Sequence, residues 1–199
     1  MRVEFKPYLL VILAIIAFDQ LTKVYIYCTL VPGDTKQILG DFLRFTFVYN
    51  PGGAFGITIG NFWIYTFLST IAIAVVIYYF IKVPHAEKIA KYCLATVVGG
   101  ALGNFIDRVA YGQVIDFIDV NIFDITIPSF GLFGMTFGGY QINRWYIFNI
   151  ADAAISVGLI AFIMYLLIVD KLGHELLKSP GEQETENGRS DYKINSTGD

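Results

Sequence analysis

Four long apolar runs divide the chain: Pro7 to Leu30, Phe62 to Ile81, Ile89 to Tyr111 and Ile147 to Val169 (7–30, 62–81, 89–111 and 147–169). The second carries no charged residue over twenty positions, and a helix of that length rises about 30 Å, the hydrocarbon thickness of a bilayer. All four are predicted to span a membrane as helices. The segments between them are patterned differently. Phe42 to Tyr49 reads Phe-Leu-Arg-Phe-Thr-Phe-Val-Tyr and runs into the turn signal Asn50-Pro51-Gly52-Gly53, which predicts a short strand or hairpin. Val114 to Val120 has strand-like alternation. From Phe130 to Tyr140 the chain is rich in Gly and Phe, a composition suited to an interfacial loop. Residues 179–199 are polar and acidic and bury too little to fold, so a disordered cytoplasmic tail is expected. Residues 1–178 then form one membrane domain, mainly α, with four spans, a small external β element and an interfacial loop.

Composition agrees with that pattern. Hydrophobic residues make up 55% of the chain and charged ones 16%, against roughly 25% charged in soluble domains, and the mean hydropathy is +0.58. With 14 Lys and Arg against 17 Asp and Glu, no basic stripe offers itself to a polyanion, and nucleic-acid binding is set aside. Cys28 and Cys93 fall near opposite membrane faces under this topology and are not expected to pair. His85 and His174 lie in connecting segments with no ligand-like neighbour at metal spacing, so neither metal nor cofactor is expected. Arg2 and Lys6 precede the first run as in a signal peptide, but no small-residue cleavage pattern follows, which predicts a retained anchor. Arg2, Lys6, Lys82, Lys88, Lys91, Lys171 and Lys178 fall on one side of the membrane, and Lys36, Arg44, Arg108 and Arg144 on the other. Both termini are therefore expected in the cytoplasm.

A charge within a bilayer costs about 2.5–3.5 kcal/mol on insertion scales and needs a partner or water. Three groups meet that description. Asp19 and Lys23 lie four apart on one face of the first span and can neutralise each other; the plain reading is a structural ion pair with Lys23 reaching to the outer interface. In the run from Gly99 to Arg108, Gly99 and Gly103 form a small surface for close helix approach, and Asn104, Asp107 and Arg108 share the face just beyond it. Those three either close the bundle with interhelical hydrogen bonds or hold a polar substrate or catalytic group. Asp116 and Asp152 form the third group. Singly, Asp116 reads as an edge-strand acid facing water, like Asp119, and Asp152 as part of a helix N-terminus capped by Asn149. Together they read differently, because two carboxylates in contact share a proton and their pKa values part. One acid is then a base for water and the other an acid for a leaving amine, without a metal or covalent intermediate. Serine or cysteine nucleophile schemes lack a histidine on that side.

These motifs resemble those of one family. DQLTK at Asp19, NPGGAFG at Asn50, GGALGNFIDR ending at Arg108, VIDFID around Asp116 and FNIADAAIS around Asp152 are together similar to bacterial lipoprotein signal peptidase (signal peptidase II), over residues 7 to about 169. The resemblance implies an aspartic endopeptidase of the bacterial inner membrane, its site near the outer face, that removes signal peptides from prolipoproteins just before a diacylglyceryl-modified cysteine. By motif, it puts the catalytic acids at Asp116 and Asp152. It puts substrate-binding or dyad-supporting positions at Asn50, Gly53, Asn104, Asp107, Arg108 and Asn149, and structural or supporting ones at Asp19 and Lys23. The implied partners are lipid-modified prolipoproteins and membrane lipids, and a single polar pocket argues for a monomer.

Two further expectations follow. The strand near Phe45 and Tyr49 is expected to cradle an extended peptide by edge pairing. Between Asp116 and Asp152 stand 35 residues, longer than the family's usual connection, and the excess is either a lid over the site or rests on the membrane. Two rival classes remain at this point: a proton-coupled transporter or channel subunit using Asp19, Asp107, Asp116 and Asp152 as a relay, which should continue across the membrane, and a non-catalytic lipid-binding scaffold using the same pocket.

Overall fold

The computed structural model describes residues 5–52, 62–122, 125–132, 135–137, 140–142 and 144–177. Gly53 and the expected tail, 179–199, lie outside them. Among the described residues four helices are long and apolar enough to cross a membrane: α1 (Lys6–Thr29), α2 (Phe62–Lys82), α3 (Lys88–Tyr111) and α4 (Ile150–Leu177). The first three match the predicted spans to within a residue, because hydrophobic length and helix length are set by the same slab of lipid. The fourth begins three residues later than expected, since Asn149 caps it rather than joining it. It also runs on past Val169, because a polar sequence free of proline ends a hydrophobic run without ending a helix.

Helix α3 occupies the middle of the bundle and packs against the other three. Its glycines make that possible. A Cβ on Gly99 would lie 3.0 Å from Ile15 Cβ of α1, and one on Gly100 only 2.4 Å from the Ala151 carbonyl oxygen of α4, so two helices approach α3 at backbone distance. The outward faces of α2 and α4 expose Trp63, Phe67, Ile71 and Tyr78, and Val157, Ile160, Met164 and Leu167. Such surfaces suit lipid and not water. Lys91, counted above among the charges of one membrane face, is instead buried: its Nζ donates to the Phe80 carbonyl at 3.0 Å and lies 4.9 Å from the Phe80 ring centre. The last carbonyls of a helix lack intrahelical donors, and Lys91 supplies one to the end of α2.

At the end of the bundle where α1 stops and α4 starts, β1 (Thr35–Leu39), β2 (Leu43–Asn50) and β3 (Val114–Val120) form an antiparallel sheet in the order β1-β2-β3. Gly112, in the left-handed conformation (φ 74°), donates its N–H to the Arg108 carbonyl, stops α3 and turns the chain into β3. Ile115 and Phe117 point inward onto Ile26 and Phe47; Asp116, between them, points the other way. The expected edge pairing of a peptide on the strand near Phe45 and Tyr49 does not fit this topology, because β2 is the central strand with both edges taken. Part of the far edge of β3 is also occupied: Phe117 and Ile118 donate to the Phe148 carbonyl (3.1 and 2.7 Å), and Trp145 donates to Val120 (3.0 Å).

The long connection read as an interfacial loop contains strand pairing. β4 (Ile125–Ile127) pairs with β7 (Tyr140–Ile142), and β5 (Phe130–Leu132) with β6 (Met135–Phe137), as nested antiparallel ladders. Its two ends are fastened beside the sheet. Asn121 donates to the Phe42 carbonyl at 2.8 Å, and Arg144 grips Asp119 at 2.6 Å while also reaching Asp41. Asp119 is therefore not the water-facing acid expected; it is 4% exposed and also accepts from Thr46.

Candidate active site

The polar centre is built outward from Lys23. An ammonium group has three hydrogens and no acceptor, and Lys23 Nζ meets Asp19 at 2.8 Å, Asp107 at 2.8 Å and Asn104 Oδ1 at 3.0 Å. It is 1% exposed, so it does not reach to the interface as the helix-face reading expected. The second carboxylate, from α3, holds it inside. Gln20 joins the same cluster, donating to Asp107 Oδ1 at 2.9 Å and to the Gly103 carbonyl at 3.1 Å. Asp19 then accepts the Ala151 N–H in the first turn of α4 (2.9 Å), and Asp107 accepts the Ile115 N–H in β3 (3.0 Å). Each of these two acids thus anchors the residue directly before one of the pair Asp116 and Asp152.

Because Asn104 Oδ1 faces a donor-only lysine, its Nδ2 must face the other way, and it donates to Asp152 Oδ1 at 2.7 Å. Asn50 is oriented by the same logic. Its Oδ1 accepts the Gly52 N–H (2.8 Å), leaving Nδ2 to donate to Asp116 Oδ2 (2.9 Å). The register pairs Asn50 with Val114 and Val48 with Asp116, which sets Asn50 and Asp116 on one face of the sheet as diagonal neighbours. Asn149 joins the two halves: its Nδ2 donates to Asp116 Oδ1 at 2.7 Å and to Asn104 Oδ1 at 2.9 Å. Its N–H meets Asp152 Oδ2 at 3.3 Å while its Oδ1 accepts the Asp152 N–H at 2.9 Å, a reciprocal capping box at the start of α4. Asp152 is both the capping acid and a member of the cluster.

The cluster borders a cavity of about 150 Å³ lined by Asn50, Gly52, Asn104, Arg108, Val114, Tyr146 and Asp152. Asp116 is 2% exposed, which excludes its reading as a strand acid facing water. Burial, and next the charge of Asp152, push its carboxyl from the ordinary 3.8 up to about 7, against the opposing donation of Asn50 and Asn149. Arg108 donates one guanidinium N–H to the Asn104 carbonyl at 3.3 Å, and its Nε is buried with no hydrogen-bond partner among the described residues. A buried donor left open is costly, and this one belongs to a residue of the cavity wall.

Asp116, Asp152, Asn50, Asn104, Asn149 and Arg108, singled out from sequence, are thus brought together. Asp19, Lys23 and Asp107 stand behind them as the scaffold. Sequence reasoning missed Tyr146, whose hydroxyl contacts Asn50 Nδ2, because it lies just outside the motif FNIAD. It also missed Gln20, which lies inside DQLTK but carries no charge to draw notice in a membrane span.

A family model described as signal peptidase (SPase) II matches residues 11–168. A lipoprotein signal peptidase of Listeria welshimeri serovar 6b is 33% identical over 164 residues, covering 82% of this chain and 95% of that one. A lipoprotein signal peptidase of Staphylococcus aureus strain MRSA252 is 35% identical over 159 residues, 80% and 86% of the two chains. A bacterial membrane enzyme solved by the in meso method at 2.3 Å resolution is similar with a TM-score of 0.67 and 34% identity, over 82% of this chain and 89% of that one.

Proposed function

The chain belongs to the signal peptidase II family and is a membrane-embedded protease that acts as a lipoprotein signal peptidase; from that premise, we propose that Asp116 and Asp152 form an aspartic dyad that cleaves just before the lipidated cysteine. The transporter and scaffold readings give way to the family. The observation that carries the mechanism is the bridge through Asn149, which donates to both acids beside one cavity. A carboxyl held near pH 7 next to a second acid is suited to sharing a proton at working pH. The ionised member takes a proton from water as the oxygen attacks the peptide carbonyl carbon, and the protonated member gives its proton to the leaving amine. The pair titrates as a unit, so the two roles belong to the dyad.

Arg108 is proposed to donate its open Nε–H to a substrate carbonyl, and Asn50 and Asn104 to hold the carboxylates in place. The end of the bundle that carries the sheet is read as the outer face of the bacterial inner membrane, with both termini in the cytoplasm. Support comes from charge: at that end Lys36 is exposed but Arg44 pairs with Asp41, Arg144 pairs with Asp119 and Arg108 belongs to the site, whereas Lys6, Lys82 and Lys88 at the other end are all exposed. The diacylglyceryl chains of the substrate would stay in lipid while its peptide bond enters the cavity where helices meet sheet. The protein is read as a monomer among membrane lipids.

The test is cleavage of a diacylglyceryl-modified prolipoprotein by the purified protein in detergent with chelator present, alongside Asp116→Asn and Asp152→Asn. Chelator-resistant cleavage that falls by at least about 10³-fold in each variant is expected, since the two acids act as one unit. Persisting turnover in either folded variant would remove that residue from the dyad.

A further inference from the structure

Tyr146 stands on the return leg of the long connection, between two points fastened to β3: the Trp145 N–H on Val120 and the Phe148 backbone on Ile118. That places its phenol against Asp116. Asn50 Nδ2 has two hydrogens; one goes to Asp116 Oδ2 at 2.9 Å and the other faces the Tyr146 hydroxyl oxygen. With its oxygen engaged as an acceptor, the phenol has one hydrogen to give, and Asp116 is its acceptor. Tyr146 also lines the cavity shared by Arg108, Asn104 and Asp152.

We propose that Tyr146 is a positioning residue for the cleavage reaction, its hydroxyl linking the Asn50 amide to the Asp116 carboxylate and holding that carboxylate at the cavity. The inference rests on the dyad reading given above. Burial, followed by the charges of Asp116 and Asp152, pushes the phenol above its ordinary value, so it remains a donor throughout the working pH range. A donor to a carboxylate favours the ionised form, so Tyr146 keeps the dyad able to accept a proton from water at lower pH than burial alone would allow.

Tyr146→Phe keeps the ring and deletes only the hydroxyl. In the detergent assay its kcat is expected to fall about tenfold with KM changed less than about twofold. The acid-side midpoint of the kcat profile is expected to rise by about one pH unit. Placing 3-fluorotyrosine at 146, a stronger donor of nearly the same shape, is expected to restore kcat and lower that midpoint again. Wild-type kcat and midpoint in Tyr146→Phe would overturn the proposal. So would a loss of kcat uniform in pH and accompanied by a lower thermal midpoint, which would make the tyrosine merely structural. Asp116→Asn separates the two levels: if that variant still cleaves, the dyad reading fails, and if it is dead while Tyr146→Phe matches wild type, only the role of Tyr146 fails.

Discussion

Asp116 carries a pH dependence that stability measurements can read without substrate. Its carboxyl titrates at about 7 in the fold against 3.8 ordinarily, so the folded chain holds that proton more tightly than the unfolded one. The resulting stabilisation is fully present below the ordinary value and is lost as pH rises through about 7. Asp116→Asn carries no charge at any pH. Its thermal midpoint is therefore expected to improve relative to wild type as pH is raised from about 4 to about 8, with a ceiling of about 4 kcal/mol on the free-energy change. A difference that stays flat or shrinks with rising pH would show that the acid is not held protonated. At this scale spacing along the chain revealed a residue's partner where it is near and hid it where it is far; the distant set around Asp116 and Asp152 was legible from the chemistry two acids can share and from motif resemblance. The capping of α4 by Asn149 was legible because Asp152 is three positions away. Lys23 was misplaced because Asp107, which keeps it inside, comes from another helix, and Asp119 was misread because Arg144 arrives from the far end of a long connection.

Helix α3 is held between its neighbours by what it lacks. A Cβ at Gly100 would meet the Ala151 carbonyl oxygen at 2.4 Å, and that backbone atom belongs to the first turn of α4, next to Asp152. Gly100→Ala is expected to lower stability by about 1–3 kcal/mol through overpacking and to reduce cleavage as well, because relief of the clash shifts the turn that carries Asp152. Gly131→Ala meets nothing within 4 Å and serves as the comparison: thermal midpoint and turnover should both match wild type. If Gly100→Ala were equally silent, close approach would not be what the glycine provides. Helices were legible almost to the residue, since lipid imposes one length and one polarity. Strands were legible where β-branched and aromatic residues mark them: Leu43–Asn50 and Val114–Val120 were found, whereas Thr35–Leu39 has all five residues exposed and no alternation to read. The three-residue ladders within 125–142 are too short to display a period.

For the whole molecule, orientation in the membrane is the property with the clearest external test. Cys28 is exposed in the last turn of α1, at the end that carries the sheet, whereas Cys93 is buried toward the other end. A membrane-impermeant maleimide added to intact spheroplasts is expected to label Cys28; labelling only after permeabilisation would place the sheet and its cavity on the cytoplasmic face. The fastening of the long connection also isolates it from the site. Asn121 and Trp145 are tied to Phe42 and Val120, so the intervening stretch leaves the sheet and returns to it through a closed gate, and both acids lie outside that gate. Insertions and deletions inside it need not disturb the spacing of Asp116 and Asp152 in space, however much they alter it along the chain. The length of this stretch can thus change without moving the two acids of the proposed dyad.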